Sequence, residues 1–167
     1  MPELAETIES EQMDKNSLQF LSFTLGKEEY GVDILRVQEI RSWEPVSRIP
    51  NVPAYEKGVV NLRGAIVPII DLRERFHVGQ AVYTPLTVVV VLQAQIGEKK
   101  RVMGVVVDSV SDVVNVNKKT IQSAPSFGTK VSTEFINGLV SVNDRMVMVL
   151  DVDRLLKLDG VDDEDET

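Results

Sequence analysis

Cysteine is absent from the 167-residue sequence, and histidine occurs once, at His77. Without thiols there is neither a disulfide framework nor a thiolate metal centre, which suits a reducing compartment. One imidazole cannot supply a histidine cluster for a transition metal. Long apolar runs are missing too. The longest, Leu86 to Leu92, falls far short of the ~20 residues that span a bilayer as a helix. The opening Met1-Pro2-Glu3-Leu4-Ala5-Glu6 has neither the basic start nor the apolar stretch of a secretory signal. There is no GxxxxGK[ST] phosphate loop, no GxGxxG motif and no GxSxG nucleophile elbow. These absences point to a soluble cytoplasmic protein that binds rather than catalyses, with no cofactor and no direct membrane insertion.

What is present is a large apolar fraction, 43%, enough for a substantial core. The net charge of −8 is unevenly spread. Residues 1–14 hold five acids and no base, and residues 159–167 hold six acids and no base. Between them stand 15 acids against 18 bases, a net charge of about +3. The acidity therefore belongs to two polar ends, expected to be solvated and disordered (1–17 and 159–167), around a nearly neutral folded part, 18–158. No basic block interleaved with aromatics occurs, which excludes nucleic acid as the main partner.

Short β-branched runs broken by turn residues predict a mainly β protein. Gln19 to Leu25 alternates as a strand, and Gly26 to Glu29 turns the chain into Tyr30-Gly31-Val32. Asp33 caps a short helical turn, and Glu39 to Trp43 is extended. Gly58 to Leu62 and Ala65 to Ile70, joined by Arg63-Gly64, read as a tight hairpin. Pro68 lacks a ladder donor, so its strand is expected at an edge or bulged. Asp71 to Phe76 reads as a short helix. Leu86 to Leu92 is apolar on both faces and so calls for cover on both sides. Val102 to Val107, a strand through Val113, Val114 and Val116, and a hairpin of Leu139 to Val142 with Met146 to Leu150 follow. A short amphipathic helix from Asp151 to Leu158 closes the fold.

An internal repeat organises these elements. A shift of 80 residues lays Gly58 to Phe76 over Gly138 to Leu156 without a gap, matching Gly58 to Gly138, Val60 to Val140, Val67 to Val147 and Asp71 to Asp151. A shift of 73 lays Tyr30 to Ile40 over Met103 to Val113, matching Gly31 to Gly104 and Val37 to Val110, with Glu39 against Asp112. The implied architecture is two pseudo-equivalent small β-barrels of about five strands each, meeting across a valine-rich seam. Closing each sheet also removes exposed edges. The first barrel is expected at about 18–84 and the second at about 85–158, with exchange of a strand between them left open.

Candidate chemistry is sparse. His77 follows a short helix and reads as a surface or loop residue. Asp144, Asp151 and Asp153 lack the spacing of a calcium loop and read as caps and flanks of the last helix. No catalytic set and no metal site assembles from these residues.

The segments Gly58-Val59-Val60-Asn61-Leu62-Arg63-Gly64-Ala65-Ile66-Val67-Pro68-Ile69-Ile70-Asp71-Leu72-Arg73, Tyr30 to Ile40 and Gly104 to Val110 resemble the signature of the CheW family over about residues 18–158. The Asn-Leu-Arg-Gly hairpin in its apolar frame is the most specific of them. The resemblance implies a fold of two pseudo-symmetric five-stranded SH3-like β-barrels with short helices and a C-terminal helix. It implies a non-enzymatic adaptor that binds the regulatory domain of the histidine kinase CheA and the cytoplasmic tips of chemoreceptors, in arrays that include further CheW copies, recruited to the inner membrane. The family's receptor- and kinase-binding surface maps onto Val37, Glu39, Gly58, Arg63, Val88 and Val89. Glu39 and Arg63 match a characteristic acid and arginine that pair with each other or with a partner. Val37 is equally suited to core, and Trp43 to core packing or to binding. A coupling module of a non-chemotactic array, or the regulatory domain of a kinase, is the alternative. The receiver domain of a CheV-type relative has no room in this chain.

Overall fold

The computed structural model describes residues 16–44, 46–47, 50–79, 82–123 and 135–159. Nearly all of the two acidic ends, and residues 124–134, lie outside these residues.

Ten strands and two short helices make up the described chain. The first half supplies β1 (Ser17–Leu25), β2 (Glu28–Asp33), β3 (Val37–Ser42), β4 (Glu56–Leu62), β5 (Ala65–Asp71) and α1 (Leu72–Arg75). The second supplies β6 (Val88–Ile96), β7 (Lys99–Val107), β8 (Ser109–Asn117), β9 (Ile136–Val142), β10 (Arg145–Leu150) and α2 (Val152–Asp159). They build two five-stranded sheets, ordered β8-β1-β2-β10-β9 and β3-β6-β7-β5-β4. The sheets do not divide at residue 84, as contiguous halves would. The first combines the opening hairpin of the first half with the last three strands of the second half. The second sheet takes the reverse combination. More than one strand is therefore exchanged, and the chain crosses between sheets at Ile34–Arg36, a 3-10 turn, and at Asp108.

The repeat is reproduced residue by residue in the ladders. In β4–β5, Gly58 pairs with Ile69 and Glu56 with Ile70, skipping Lys57. In β9–β10, Gly138 pairs with Val149 and Ile136 with Leu150, skipping Asn137, so the same bulge recurs 80 residues on. The parallel pairings agree as well, with Ile69 opposite Gly104 and Val149 opposite Gly31. Each helix starts at the matching aspartate. Asp71 Oδ1 accepts from the Glu74 N–H (3.3 Å), and Asp151 Oδ1 accepts from the Arg154 N–H (3.1 Å). Such side chains satisfy backbone donors that a helix start leaves open.

The sheets curl because the chain beyond each edge strand returns to the opposite edge. Ser47, after β3, exchanges two backbone hydrogen bonds with Val59 of β4 (3.2 and 2.9 Å). Gln122, after β8, does the same with Leu139 of β9 (2.8 and 2.7 Å). These contacts occupy edge donors and acceptors that would otherwise offer a template for association. They also explain Gly58 and Gly138, the glycines preceding Val59 and Leu139. A Cβ on Gly58 would stand 2.1 Å from the Ser47 carbonyl oxygen, and one on Gly138 2.7 Å from that of Gln122.

Three apolar clusters follow from strand alternation. Phe20, Val114, Val116, Val140, Val147 and Val149 fill the first sheet, and Leu62, Val67, Ile69, Val89, Val91 and Val106 fill the second. The largest cluster lies between the sheets and takes Leu21, Phe23 and Tyr30 from one, Val90, Leu92, Met103 and Val105 from the other, and Leu155 and Leu156 from α2. Strand β6 feeds two of these clusters, with Val89 and Val91 on one face and Val90 and Leu92 on the other, as its unbroken apolar run requires. Pro68 is a correction. Its strand, β5, lies inside the sheet rather than at an edge. The ladder to β7 starts only at Ile69, so at Pro68 the strand has a neighbour on one side alone, and the missing N–H is not called for.

Candidate binding surface on the second sheet

All six residues expected at the binding surface belong to the second sheet. Val37 and Glu39 stand on β3, Val88 and Val89 on the neighbouring β6, Gly58 on the opposite edge strand β4, and Arg63 in the β4–β5 turn. The curl brings the edges together. Arg63 Nη2 donates to Glu39 Oε1 at 2.6 Å, and Arg41 Nη1 approaches Glu39 Oε2 at 3.4 Å. Of the two arrangements open in the sequence, Glu39 and Arg63 thus adopt the mutual pair. The Arg63 hydrogen bond holds the Glu39 carboxyl below its usual range, against a smaller opposing effect of desolvation, with Arg41 adding to the lowering. The Arg63 side chain is 74% exposed, leaving most of its donors to water or to a partner.

The turn that carries Arg63 is a two-residue connection between Leu62 and Ala65, with φ of 52° at Arg63 and 89° at Gly64. Positive φ at both central positions matches the right-handed twist of the strands, and the Asn61 side chain accepts from the Gly64 N–H (2.9 Å). A left-handed conformation costs a residue such as arginine about 1–2 kcal/mol. The duplicate turn has the same shape with residues that suit it better, Asn143 (φ 51°) and Asp144 (φ 66°). At the position matching Glu39, the first sheet carries Asp112, whose carboxylate accepts from the Val113 N–H. The acid–arginine bridge is therefore a feature of one copy of the repeat, and closing the sheet does not require it.

The remaining residues divide by burial. Val37 and Val88 are half-buried and pack against the central cluster. Val89 is 6% exposed, inside the second sheet, and Gly58 is buried under the Ser47 bridge. Val89 and Gly58 thus lie beneath the outer face of the sheet rather than on it. Trp43 is half-buried and stacks on Tyr83 (ring centroids 4.6 Å apart), over a cleft of about 730 Å³ that Val46, Pro50, Val52 and Pro53 help to line. Tyr83 donates to Asp71 Oδ2 (2.9 Å), tying this rim to the cap of α1. Burial raises the Asp71 carboxyl above its ordinary value despite the hydrogen bonds from Tyr83 and the Glu74 N–H. Burial, then the Asp71 charge, raises the Tyr83 hydroxyl.

Exposed apolar side chains mark positions that the sequence reading passed over. Ile40 and Val113 occupy matching places 73 residues apart, at 45% and 44% exposure, and Ile66 and Met146 occupy matching places 80 apart, at 64% and 58%. The repeat carries the signal that would have found them, an apolar residue kept outward in both copies.

His77 is exposed at φ 60°, just after α1. Asp151 caps α2, and Asp153 pairs with Arg36 (3.0 Å). Among the described residues no group of three or more His, Asp or Glu could hold a metal ion, and no helix is long and apolar enough to cross a membrane.

Comparison with known proteins agrees with this geometry. A family model described as CheW-like domain matches residues 19–159. The chain is 50% identical over 138 residues to the chemotaxis protein CheW of Klebsiella aerogenes, covering 83% of this chain and 81% of that one. It is 30% identical over 142 residues to the chemotaxis protein CheW of Bacillus subtilis, covering 85% and 88%. Among solved structures, the scaffolding protein TtCheW of Thermoanaerobacter tengcongensis superposes with a TM-score of 0.73 at 29% identity, covering 81% of this chain and 84% of that one.

Proposed function

The chain belongs to the CheW-like domain family, and on that premise we propose that it is a non-enzymatic adaptor of a chemosensory array. It joins the cytoplasmic tips of chemoreceptors to the regulatory domain of the histidine kinase CheA, so that receptor state controls kinase activity. It does so in the cytoplasm, recruited to receptors at the inner membrane. The observation that carries this reading is the Glu39–Arg63 bridge. An exposed ion pair adds little stability, and the arginine sits in a backbone conformation that asparagine fills at lower cost in the duplicate turn. The side chain is therefore kept for what it presents, a guanidinium aimed along the sheet edge by an acid that holds it in place.

A helical receptor tip needs apolar surface and a few polar anchors. Val37 and Val88 supply apolar area, Glu39 and Arg63 the anchors, and Gly58 and Val89 the support below. The test is co-sedimentation with receptor-bearing membranes and CheA, scoring kinase activity alongside. The wild-type chain should sediment with receptors and be required for receptor-dependent activation. Arg63→Ala should lose most of that coupling while keeping the wild-type urea midpoint. Full coupling by Arg63→Ala refutes the anchor role, and failure of the wild-type chain to bind either partner refutes the adaptor reading.

A further inference from the structure

The Glu39–Arg63 bridge has a third member. Glu39 is met from two sides, by Arg63 from the β4–β5 turn (2.6 Å) and by Arg41, two residues further along β3 (3.4 Å). Two guanidiniums thus share one carboxylate, and the cluster keeps a net positive charge. Among the described residues neither arginine forms an ion pair with another acid. Exposure divides the three unequally, at 74% for the Arg63 side chain, 45% for Arg41 and 18% for Glu39. The acid is the sheltered member, and the cations face outward. A guanidinium presents its N–H donors in a planar fork, and the bridge engages one nitrogen of each arginine. The donors left over match a second carboxylate, which such forks bind in a bidentate way.

The duplicate shows that closing a sheet does not ask for this second arginine. The 73-residue shift that lays Ile40 on Val113 lays Arg41 on Val114, which is 7% exposed and packs inside the first sheet with Phe20 and Val116. The registers agree. Arg41 pairs with Val89 of β6, and Val114 pairs with Phe20 of β1, both partners being interior residues of their sheets. An exposed cation therefore stands in the second sheet where the first buries a valine. Exposed ion pairs add little stability, so Arg41 gives the fold less than the valine would. We propose, on the reading that this edge meets the receptor tip, that Arg41 and Arg63 together receive an acidic side chain of that tip. Glu39 is then a positioning residue, which holds the two guanidiniums side by side and does not itself touch the partner.

The test is a sedimentation titration of the full chain against receptor-bearing membranes without CheA, with receptor-free vesicles of the same lipids alongside. Arg41→Gln should keep the wild-type urea midpoint and bind the receptor membranes on the order of tenfold more weakly, the scale of one lost charge-assisted hydrogen bond. Arg41→Lys, which keeps the charge without the fork, is the second variant should Arg41→Gln unfold, and it should still lose affinity severalfold. Glu39→Gln should bind at least as tightly as wild type, because its amide oxygen still accepts from Arg63 and no longer offsets the charge. Weaker binding by Glu39→Gln overturns the assignment, since the partner would then present a cation to the acid. So does wild-type affinity in the Arg41 variants, equal binding to receptor-free vesicles, or a loss confined to the CheA regulatory domain. When the wild-type chain binds receptors and the variants depart from these expectations, the adaptor reading stands and the assignment falls. A wild-type chain that binds neither receptor nor CheA overturns both.

Discussion

Replacing Gly58 by alanine separates a supporting role from a contact role. The added Cβ would lie 2.1 Å from the Ser47 carbonyl oxygen and 2.9 Å from a Val46 methyl, at a φ of +147°. Two backbone hydrogen bonds join Ser47 and Val59, and the clash requires both to stretch or break. At about 0.5–1.5 kcal/mol each, their loss costs about 1–3 kcal/mol. An alanine at this backbone conformation adds strain of about 1–3 kcal/mol, so the total is about 2–6 kcal/mol. For a domain of this size that is on the order of 4–24 °C in Tm. Gly138→Ala provides the internal control. Its Cβ meets the Gln122 oxygen at 2.7 Å and an Ile121 methyl at 2.6 Å, without a positive φ, so it should cost less. Urea unfolding of both variants, followed by circular dichroism, measures the difference. A Gly58→Ala cost below about 1 kcal/mol, or a cost smaller than that of Gly138→Ala, refutes the reasoning. In binding assays run well below its midpoint, Gly58→Ala should keep its fold and lose coupling only as far as the β3–β4 edge shifts.

Three further outcomes follow. Leu155→Ala removes a fully buried side chain from the central cluster and should cost about 2–5 kcal/mol in the same urea assay; a near-neutral result would mean that α2 is not part of the core. Asp71 has a folded-state pKa above its ordinary 3.8, so the stability conferred by its neutral form is fully present below 3.8 and declines as pH rises through the elevated value. Asp71→Asn should lack this decline when urea midpoints are compared at pH 4 and pH 7. Glu39 behaves in the opposite sense, because its pKa is depressed from 4.5 chiefly by Arg63. Its contribution is present above 4.5 and lost as pH falls through the folded value, and carboxyl carbon NMR should show its titration move back towards 4.5 in Arg63→Ala.

The hairpins, their turns and the repeat were legible because their signals are local. Arg63-Gly64 and Asn143-Asp144 both mark two-residue turns, and an 80-residue shift carries one hairpin onto the other, bulge included. The exchange of strands was not legible. Strands β3 and β8 carry the same pattern whichever sheet they join, and only the packing of the central cluster decides between a half closing on itself and two halves closing on each other. The same limit applied to Pro68, where local chemistry asked for an unpaired neighbour and the ladder supplied one inside the sheet. Of the candidate surface, Glu39 and Arg63 come together as one of the arrangements the residues allowed. Val89 proved to be interior because a valine run on a two-faced strand does not reveal which face meets water. Trp43 on Tyr83 was invisible, since the partners are 40 positions apart in sequence and joined by no periodicity.

The exchange also bears on how such a chain transmits force. Each half enters the other's sheet, and the connection from β7 to β8 is a single residue, Asp108. That crossover is held by Arg73 from α1, and the Asp108 carboxylate also accepts from the Gly26 N–H at 2.7 Å. The other crossover is held by Asp153 from α2 on Arg36, so the matching helix positions, 73 and 153, carry opposite charges and each meets its complement. The central cluster holds a run of rings, Phe23 stacked on Tyr30, Tyr30 tilted at 44° to Phe76 and Phe76 stacked on Phe135, with Arg75 over Phe135 at 4.6 Å. A hinge between the sheets would have to open this cluster, and fully burying even one Leu-sized or Phe-sized side chain is worth about 1.5–3 kcal/mol. Close-packed interiors rearrange between discrete states rather than deforming smoothly. On this packing the two sheets should move as one body, and a partner docking at the proposed Glu39–Arg63 edge would meet a surface whose position relative to the far sheet is already set.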